Sequence, residues 1–133
     1  MIKVVLDTNV LVSSLLTLGP PAAIADLVAD GKIIPFYNNL IFREYWDVLT
    51  RKKFGFSPAE VNHLINNIER TGMAVENEQP STIPMIDEED RVFFDAALKA
   101  KAFLITGNTR HFPRRSFVVT PAQFIFIYQK ADT

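Results

Sequence analysis

Short apolar runs alternate with segments of helical spacing along the chain, and this alternation predicts strands separated by helices. Strands in this arrangement form a parallel sheet, and uninterrupted apolar strands are covered by helices on both faces. We therefore expect a three-layer α/β/α domain over residues 1–133, with a parallel sheet of about five strands. The predicted strands are 2–6 (IKVVL), 32–37 (KIIPFY), 73–76 (MAVE), 103–106 (FLIT) and 117–119 (FVV). The predicted helices are 9–30 with a break at 19–21, 40–53, 57–71, 88–102 and a last helix from about 121.

Individual residues strengthen or weaken these predictions. Ser57 and Pro58 suit the cap and the first position of a helix, and Gly72 suits its end. Pro35 weakens the second strand, because proline cannot donate a hydrogen bond to a neighbouring strand. The polar segment 77–84 (NEQPSTIP) predicts a connection without regular structure.

Composition narrows the class of protein. The chain is 48% hydrophobic and 22% charged, which is typical of a folded globular domain rather than a disordered one. Its net charge is -1, so any nucleic-acid contact must use a local basic patch. It has no cysteine, which excludes disulfides and thiolate metal sites and is compatible with a cytoplasmic location. Asp7 interrupts the first apolar run, so we expect neither a signal peptide nor a membrane span.

Two polar side chains follow predicted strands directly. Asp7 comes after the first strand, and Asn108 follows the run FLIT. In open parallel sheets, ligands bind beyond the carboxyl ends of the strands, where the strand order reverses. If the first strand and FLIT are neighbours in the sheet, Asp7 and Asn108 meet at one crevice.

Two predicted helices bring further acids towards the same place. Glu44 precedes the stripe residue Tyr45, and Asp90 lies in the first turn of the helix before FLIT. Carboxylates that converge in a poorly solvated crevice repel one another, and a divalent cation removes that penalty. Mg²⁺ prefers hard oxygen ligands, can lower the pKa of a water molecule and can shield a phosphate under attack. The chemistry that suits such a site is phosphodiester hydrolysis.

Each acid also has a purely structural interpretation. Asp7 suits the cap of the helix that starts near Asn9, and this role is compatible with metal binding. Glu44 considered alone is an ordinary helix glutamate. Asp87 and Asp90 fit a helix cap and the third helical position, and we favour capping for Asp87 and metal binding for Asp90.

The segments LDTNVLVSSLL (6–16) and DEEDRVFFDAALKAKAFLITGNTRHFP (87–113), with Glu44 between them, resemble the PIN domain. The most similar subset is the toxin components of bacterial toxin–antitoxin pairs, the VapC-type ribonucleases. The resemblance implies a parallel sheet with acids at its carboxyl edge, and cleavage of RNA that depends on Mg²⁺ or Mn²⁺. It also implies an RNA substrate, an antitoxin protein as partner and a homodimer.

The resemblance assigns roles to particular residues. Asp7, Glu44 and Asp90 are the catalytic, metal-binding acids, and Asn108 takes the place where many members carry a fourth aspartate. This departure removes one negative charge and bears on whether one or two metals bind. Secondary candidates near these residues are Thr8 and Asn9, which shape the turn, Thr106, and Asp95, where related sequences often carry an acid.

Basic residues and histidines are weighed separately. Arg110 and Arg114 follow Asn108 closely, so they are candidates for binding RNA phosphates at the rim of the crevice. The cluster 51–53 (RKK) is of a kind that usually forms a solvated face. His111, between Arg110 and a Phe-Pro pair, is interpreted as a structural loop residue.

Other functions remain as alternatives. A haloacid-dehalogenase-type phosphatase needs a second aspartate two residues after the first, where this chain has Asn9, and we reject it. A dinucleotide-binding domain lacks its G-x-G-x-x-G after the first strand. The remaining alternative to the ribonuclease is a catalytically weak module of PIN fold that binds RNA or a protein partner, and Asn108 gives it weight.

Overall fold

In the computed structural model, which describes residues 1–76 and 79–131, a parallel sheet is flanked by helices on both faces. The five strands lie in the order β3-β2-β1-β4-β5, and every pair of neighbours is parallel. Their bounds are β1 Lys3–Leu6, β2 Ile34–Tyr37, β3 Met73–Ala74, β4 Phe103–Ile105 and β5 Val118–Val119. The predicted three-layer architecture is confirmed, and residues 77 and 78 of the predicted polar connection lie outside the described residues.

The helices are α1 Thr8–Leu16, α2 Pro20–Ala29, α3 Asn39–Leu49, α4 Pro58–Thr71, α5 Arg91–Ala100 and α6 Pro121–Ala131. The prediction was wrong at several ends. The helix 40–53 stops at Leu49, the strand 32–37 begins at Ile34, and the strand 73–76 ends at Ala74. The helix 88–102 begins as a 3-10 helix, Glu88–Asp90, and ends at Ala100. The Asp87 side chain caps that short helix by accepting a hydrogen bond from the Glu89 amide. No single helix within the described ranges is long and apolar enough to cross a membrane; α1 and α2 meet the criterion only as a pair bent by 102°.

The core fills both sides of the central strand β1. Val4, Val5 and Leu6 of this strand are almost completely buried. α5 packs on β1, β2 and β4, while α4 packs on β2 and on α2. Because β1 lies in the middle of the sheet, its carboxyl end is surrounded by protein, and Asp7 follows directly at that end.

The proline in β2 is accommodated by the short neighbouring strand. Ile34 donates its amide to Ile2 on the β1 side, so Pro35 faces the β3 side. β3 begins only at Met73, opposite Phe36, so Pro35 has no paired residue in that strand. Gly72 is needed just before it, because a Cβ there would lie 2.1 Å from the Pro35 carbonyl oxygen.

Candidate active site

Asp7 stands at the point where the strand order of the sheet reverses. From β1 the chain builds outwards to β2 and β3 on one side, and β4 and β5 lie on the other. The Asp7 amide donates to the Ile105 carbonyl at the end of β4, with an N–O distance of 2.9 Å. Both strands therefore end at the same crevice, which is where open parallel sheets bind ligands.

Two neighbours hold the Asp7 carboxylate in place. One oxygen accepts from the Thr8 amide and the other from the Thr106 hydroxyl, each at 2.8 Å. Burial raises the pKa of Asp7, and both hydrogen bonds oppose that effect. Asp7 caps α1, as predicted, and it is also a largely buried carboxylate, with 8% of its surface exposed.

The turns after β1 and β4 are tied together. The Asn9 side-chain oxygen accepts from the Gly107 amide at 3.0 Å, and the Thr106 hydroxyl accepts from the Asn108 amide at 3.1 Å. These bonds fix the backbone beside Asp7, while the Asn108 side chain is exposed at the crevice. The Thr8 hydroxyl is buried and has no hydrogen-bond partner among the described residues.

Glu44 reaches the crevice because α3 lies across the carboxyl end of β1. The hydroxyl of the fully buried Tyr45 donates to the Leu6 carbonyl at 2.6 Å, which fixes this turn of α3 against the end of β1. Glu44 is half-buried beside it. Burial raises the pKa of Glu44, and the charges of Asp47, Glu89 and Asp7 raise it further. Glu44 is therefore within electrostatic reach of Asp7.

Asp90 approaches Asp7 from the start of α5. Its side chain is 19% exposed. Burial raises the pKa of Asp90 from 3.8 to about 6, and the next largest contribution is repulsion from Asp7. The structure therefore brings Glu44 and Asp90 each within electrostatic reach of Asp7 at one edge of the sheet.

His111, which the sequence indicates as a structural loop residue, lies next to Asp90 in the structure. This residue ends the 3-10 helix Thr109–His111, and its Nδ1 lies 4.0 Å from an Asp90 carboxylate oxygen. Its charge also lowers the pKa of Asp7. The position of His111 just after Asn108 was the available signal, and its Phe-Pro neighbours favoured the structural interpretation.

Asp95 has a different partner from the other acids. It is buried, and its two oxygens accept from the Ser81 amide at 2.9 Å and the Ser81 hydroxyl at 2.6 Å. Arg91 donates to the carbonyl oxygen of the same residue, Ser81, at 2.7 Å. Asp95 is therefore neither on an exposed helix face nor bonded to Asp7; it anchors the segment before α5.

The predicted phosphate-binding arginines are exposed. Arg110 neighbours His111 in the short helix at the crevice, and Arg114 lies further along the same loop. Arg115 is positioned differently, with its guanidinium 5.9 Å from the centre of the Phe94 ring. Arg110 and Arg114 are thus available to solvent on the β4 side of the crevice.

The donor set suits a hard cation, although it is not gathered around one point. Three carboxylates and the Asn108 amide offer oxygen ligands, and the raised pKa values of Asp7, Glu44 and Asp90 show that negative charge is unfavourable there. In residues 1–76 and 79–131, no three histidine or acidic side chains form a ready metal-binding group. Binding a cation would require these side chains to move closer together.

Comparison with known proteins places this site in a family. The family described as PIN domain matches residues 3–110, which include β1 to β4 and the acids Asp7, Glu44 and Asp90. An uncharacterized protein of Methanocaldococcus jannaschii is 30% identical over 110 residues, which cover 80% of this chain and 71% of that protein. No solved structure matched the chain.

Proposed function

The chain belongs to the PIN domain family, whose members are generally nucleases, and on this premise we propose that it is a divalent-metal-dependent endoribonuclease. One observation carries the proposal. The buried Asp7 lies at the switch point of the sheet, with Glu44 and Asp90 close enough to raise their pKa values through its charge. The repulsion of Glu44 and Asp90 by Asp7 is unfavourable, and binding a cation would relieve it.

Asp7, Glu44 and Asp90 would hold the cation, with Asn108 contributing its amide oxygen. When bound, Mg²⁺ or Mn²⁺ would supply positive charge that lowers the pKa of a water molecule and offsets the charge of the scissile phosphate. The residues of the chain supply the positioning. The Thr106 hydroxyl and the Thr8 amide orient the Asp7 carboxylate, so that its remaining lone pairs can face the crevice.

His111 and the arginines extend this positioning to the substrate. His111 lies beside Asp90, and Arg110 is exposed next to it, so both can face a phosphate held at the crevice. Arg110 and Arg114 would bind the RNA backbone, because phosphate contacts fix the register of a strand without reading its bases.

We further propose that the protein is the toxin of a toxin–antitoxin pair, that residues 1–133 form one domain, and that it acts in the cytoplasm as a homodimer. The resemblance to VapC-type ribonucleases supports this role. The exposed Phe126 on α6 offers apolar surface for a second copy. An antitoxin protein would complete the pair.

RNA cleavage by the purified protein tests the enzymatic proposal. Structured and single-stranded RNAs are incubated with Mg²⁺ or Mn²⁺, with EDTA, and with the variant Asp7→Asn. The matched control is Asp26→Asn, which changes an exposed aspartate on α2. Cleavage that is lost with EDTA and with Asp7→Asn, and kept by Asp26→Asn, supports the proposal. Full activity of Asp7→Asn would refute the assigned site.

A catalytically weak module that binds RNA or a protein partner is the second candidate. It is favoured by Asn108 in place of a fourth acid and by the absence of a ready metal-binding group in the described ranges. Calorimetric Mn²⁺ binding without cleavage of any RNA would support this candidate. The variant Asn108→Asp would then test whether the missing carboxylate accounts for the lack of turnover.

A further inference from the structure

A second basic segment lies at the end of α3. Residues 51–53, which we name the basic turn, read Arg-Lys-Lys and are all exposed. The whole chain has a net charge of -1, so three consecutive cations are a local feature rather than part of a general basic field. Among the described residues, Lys52 and Lys53 have no ion pair, and Arg51 pairs with Asp47 at 3.0 Å.

The basic turn is an ordered element. The Arg51 amide donates to the Val48 carbonyl at 3.1 Å. The Phe54 amide donates to the Arg51 carbonyl at 3.1 Å, and the Gly55 amide donates to the Lys52 carbonyl at 3.2 Å. Phe54 stacks on Phe56 with ring centres 5.4 Å apart, and the Lys53 ammonium lies 5.1 Å from the Phe54 ring. These contacts restrict the turn, so little conformational entropy is lost when its charges meet a ligand.

An ion pair places the basic turn on the same side of α3 as Glu44. Glu44 and Asp47 are three residues apart on α3, which puts them along one face. Arg51, just beyond the end of the helix at Leu49, pairs with Asp47 at 3.0 Å. In agreement with this placement, the charge of Arg51 lowers the pKa of Glu44 against the larger effect of burial.

We propose that the basic turn binds the sugar-phosphate backbone of single-stranded RNA on the α3 side of the crevice. This inference rests on the proposed function, because it assumes that RNA enters the crevice. The acids of the crevice repel RNA, and the positive charge of the turn offsets that repulsion.

The two basic segments then bind different parts of the RNA strand. α3 follows β2, and the loop with Arg110 and Arg114 follows β4, so the segments belong to opposite neighbours of β1. Because the rings of Phe54 and Phe56 contact each other and Lys53, the turn presents charge more than free aromatic surface. Binding at the turn is therefore independent of base sequence.

The salt dependence of RNA binding tests this proposal. Fluorescence anisotropy measures the affinity for an unstructured oligoribonucleotide in EDTA, so that no cleavage is needed. For single strands, each phosphate contact contributes about 0.7 to the slope of log K against log salt concentration. The variant Lys52→Gln/Lys53→Gln should therefore reduce that slope by about 1.4. The matched control is Lys32→Gln/Lys99→Gln, which removes the same charge near the amino ends of β2 and β4 and should leave the slope unchanged.

Every outcome decides the proposal. A slope reduced only in the Lys52→Gln/Lys53→Gln variant supports it. An unchanged slope overturns it and would leave the turn to a protein partner, and an equal reduction in the control would show only a general charge effect. Failure of the wild-type protein to bind RNA also overturns it. Cleavage assays with Mg²⁺ report separately on the proposed function, since they can fail while binding persists.

Discussion

Replacing Asp90 by asparagine should stabilise the fold at pH 8 while it abolishes the proposed cleavage. The side chain is held near Asp7 and away from most solvent, so its charged form is disfavoured in the folded protein. Asparagine has a similar shape and carries no charge. The variant therefore removes an unfavourable charge together with a group that the proposed chemistry requires.

The pKa of Asp90 sets the size of this effect. A rise from 3.8 to about 6 means that the folded state holds the proton more tightly than the unfolded state. At about 1.4 kcal/mol for each tenfold change in proton affinity, the upper limit is about 3 kcal/mol. The side chain remains 19% exposed, and solvent screening reduces the expected gain to about 1–2 kcal/mol. For a chain of 133 residues this raises Tm by about 4–7 °C.

The direction of the pKa shift determines how the stability contribution of Asp90 changes with pH. Because the folded pKa is the higher one, this group adds stability below pH 3.8, and that stability is lost as the pH rises through about 6. The gain in stability of Asp90→Asn over wild type should therefore be complete at pH 8 and mostly absent at pH 4. Thermal unfolding followed by circular dichroism measures both, with Asp26→Asn as the control at an exposed site.

Two results would refute the reasoning. One is a variant no more stable than wild type at pH 8, and the other is an advantage of equal size at pH 4. Adding Mg²⁺ gives an independent measurement, because a ligand that binds only the folded state raises Tm. Wild type should gain more from Mg²⁺ than Asp90→Asn does, and equal gains would place the cation elsewhere.

Three further predictions concern the surroundings of this group. Tyr45→Phe removes the donor to the Leu6 carbonyl, so it should lower the free energy of unfolding measured in urea by about 1–2 kcal/mol. It should also slow single-turnover cleavage, and an unchanged rate would show that Tyr45 does not position Glu44. Asn108→Asp should tighten Mn²⁺ binding measured by calorimetry, and weaker binding would contradict its place in the donor set. Arg110→Gln/Arg114→Gln should reduce the slope of log K for RNA binding against log salt concentration by about 1.4. An unchanged slope would count against phosphate contacts at these arginines.

Features that depend on nearby residues could be predicted from the sequence. The caps predicted at Ser57 and Asp7 need only contacts within three residues, and both are present. The strand pattern similarly placed Asp7 at the carboxyl edge of a parallel sheet. Because open parallel sheets bind ligands at this edge, the site could be located without knowledge of any contact between distant residues.

Features that depend on distant contacts could not be predicted in this way. Asp95 is held by Ser81, fourteen residues earlier, and no periodic pattern connects the two. His111 reaches Asp90 only because the loop after β4 folds back in a short helix. The hydrogen bond between α3 and the end of β1 is made by Tyr45, which the sequence shows only as another residue of an apolar stripe.

The pairing of β1 with β4 also sets the order in which the site forms during synthesis. Val5 pairs with Leu104, and Asp7 receives the Thr106 hydroxyl hydrogen bond across 99 residues of chain. Contacts of such high contact order form late, and a nascent chain emerges from its amino end. A ribosome-bound chain that has not yet exposed β4 therefore carries Asp7 and Glu44 without a crevice. The crevice can therefore form only after β4 has been synthesised and has left the ribosome.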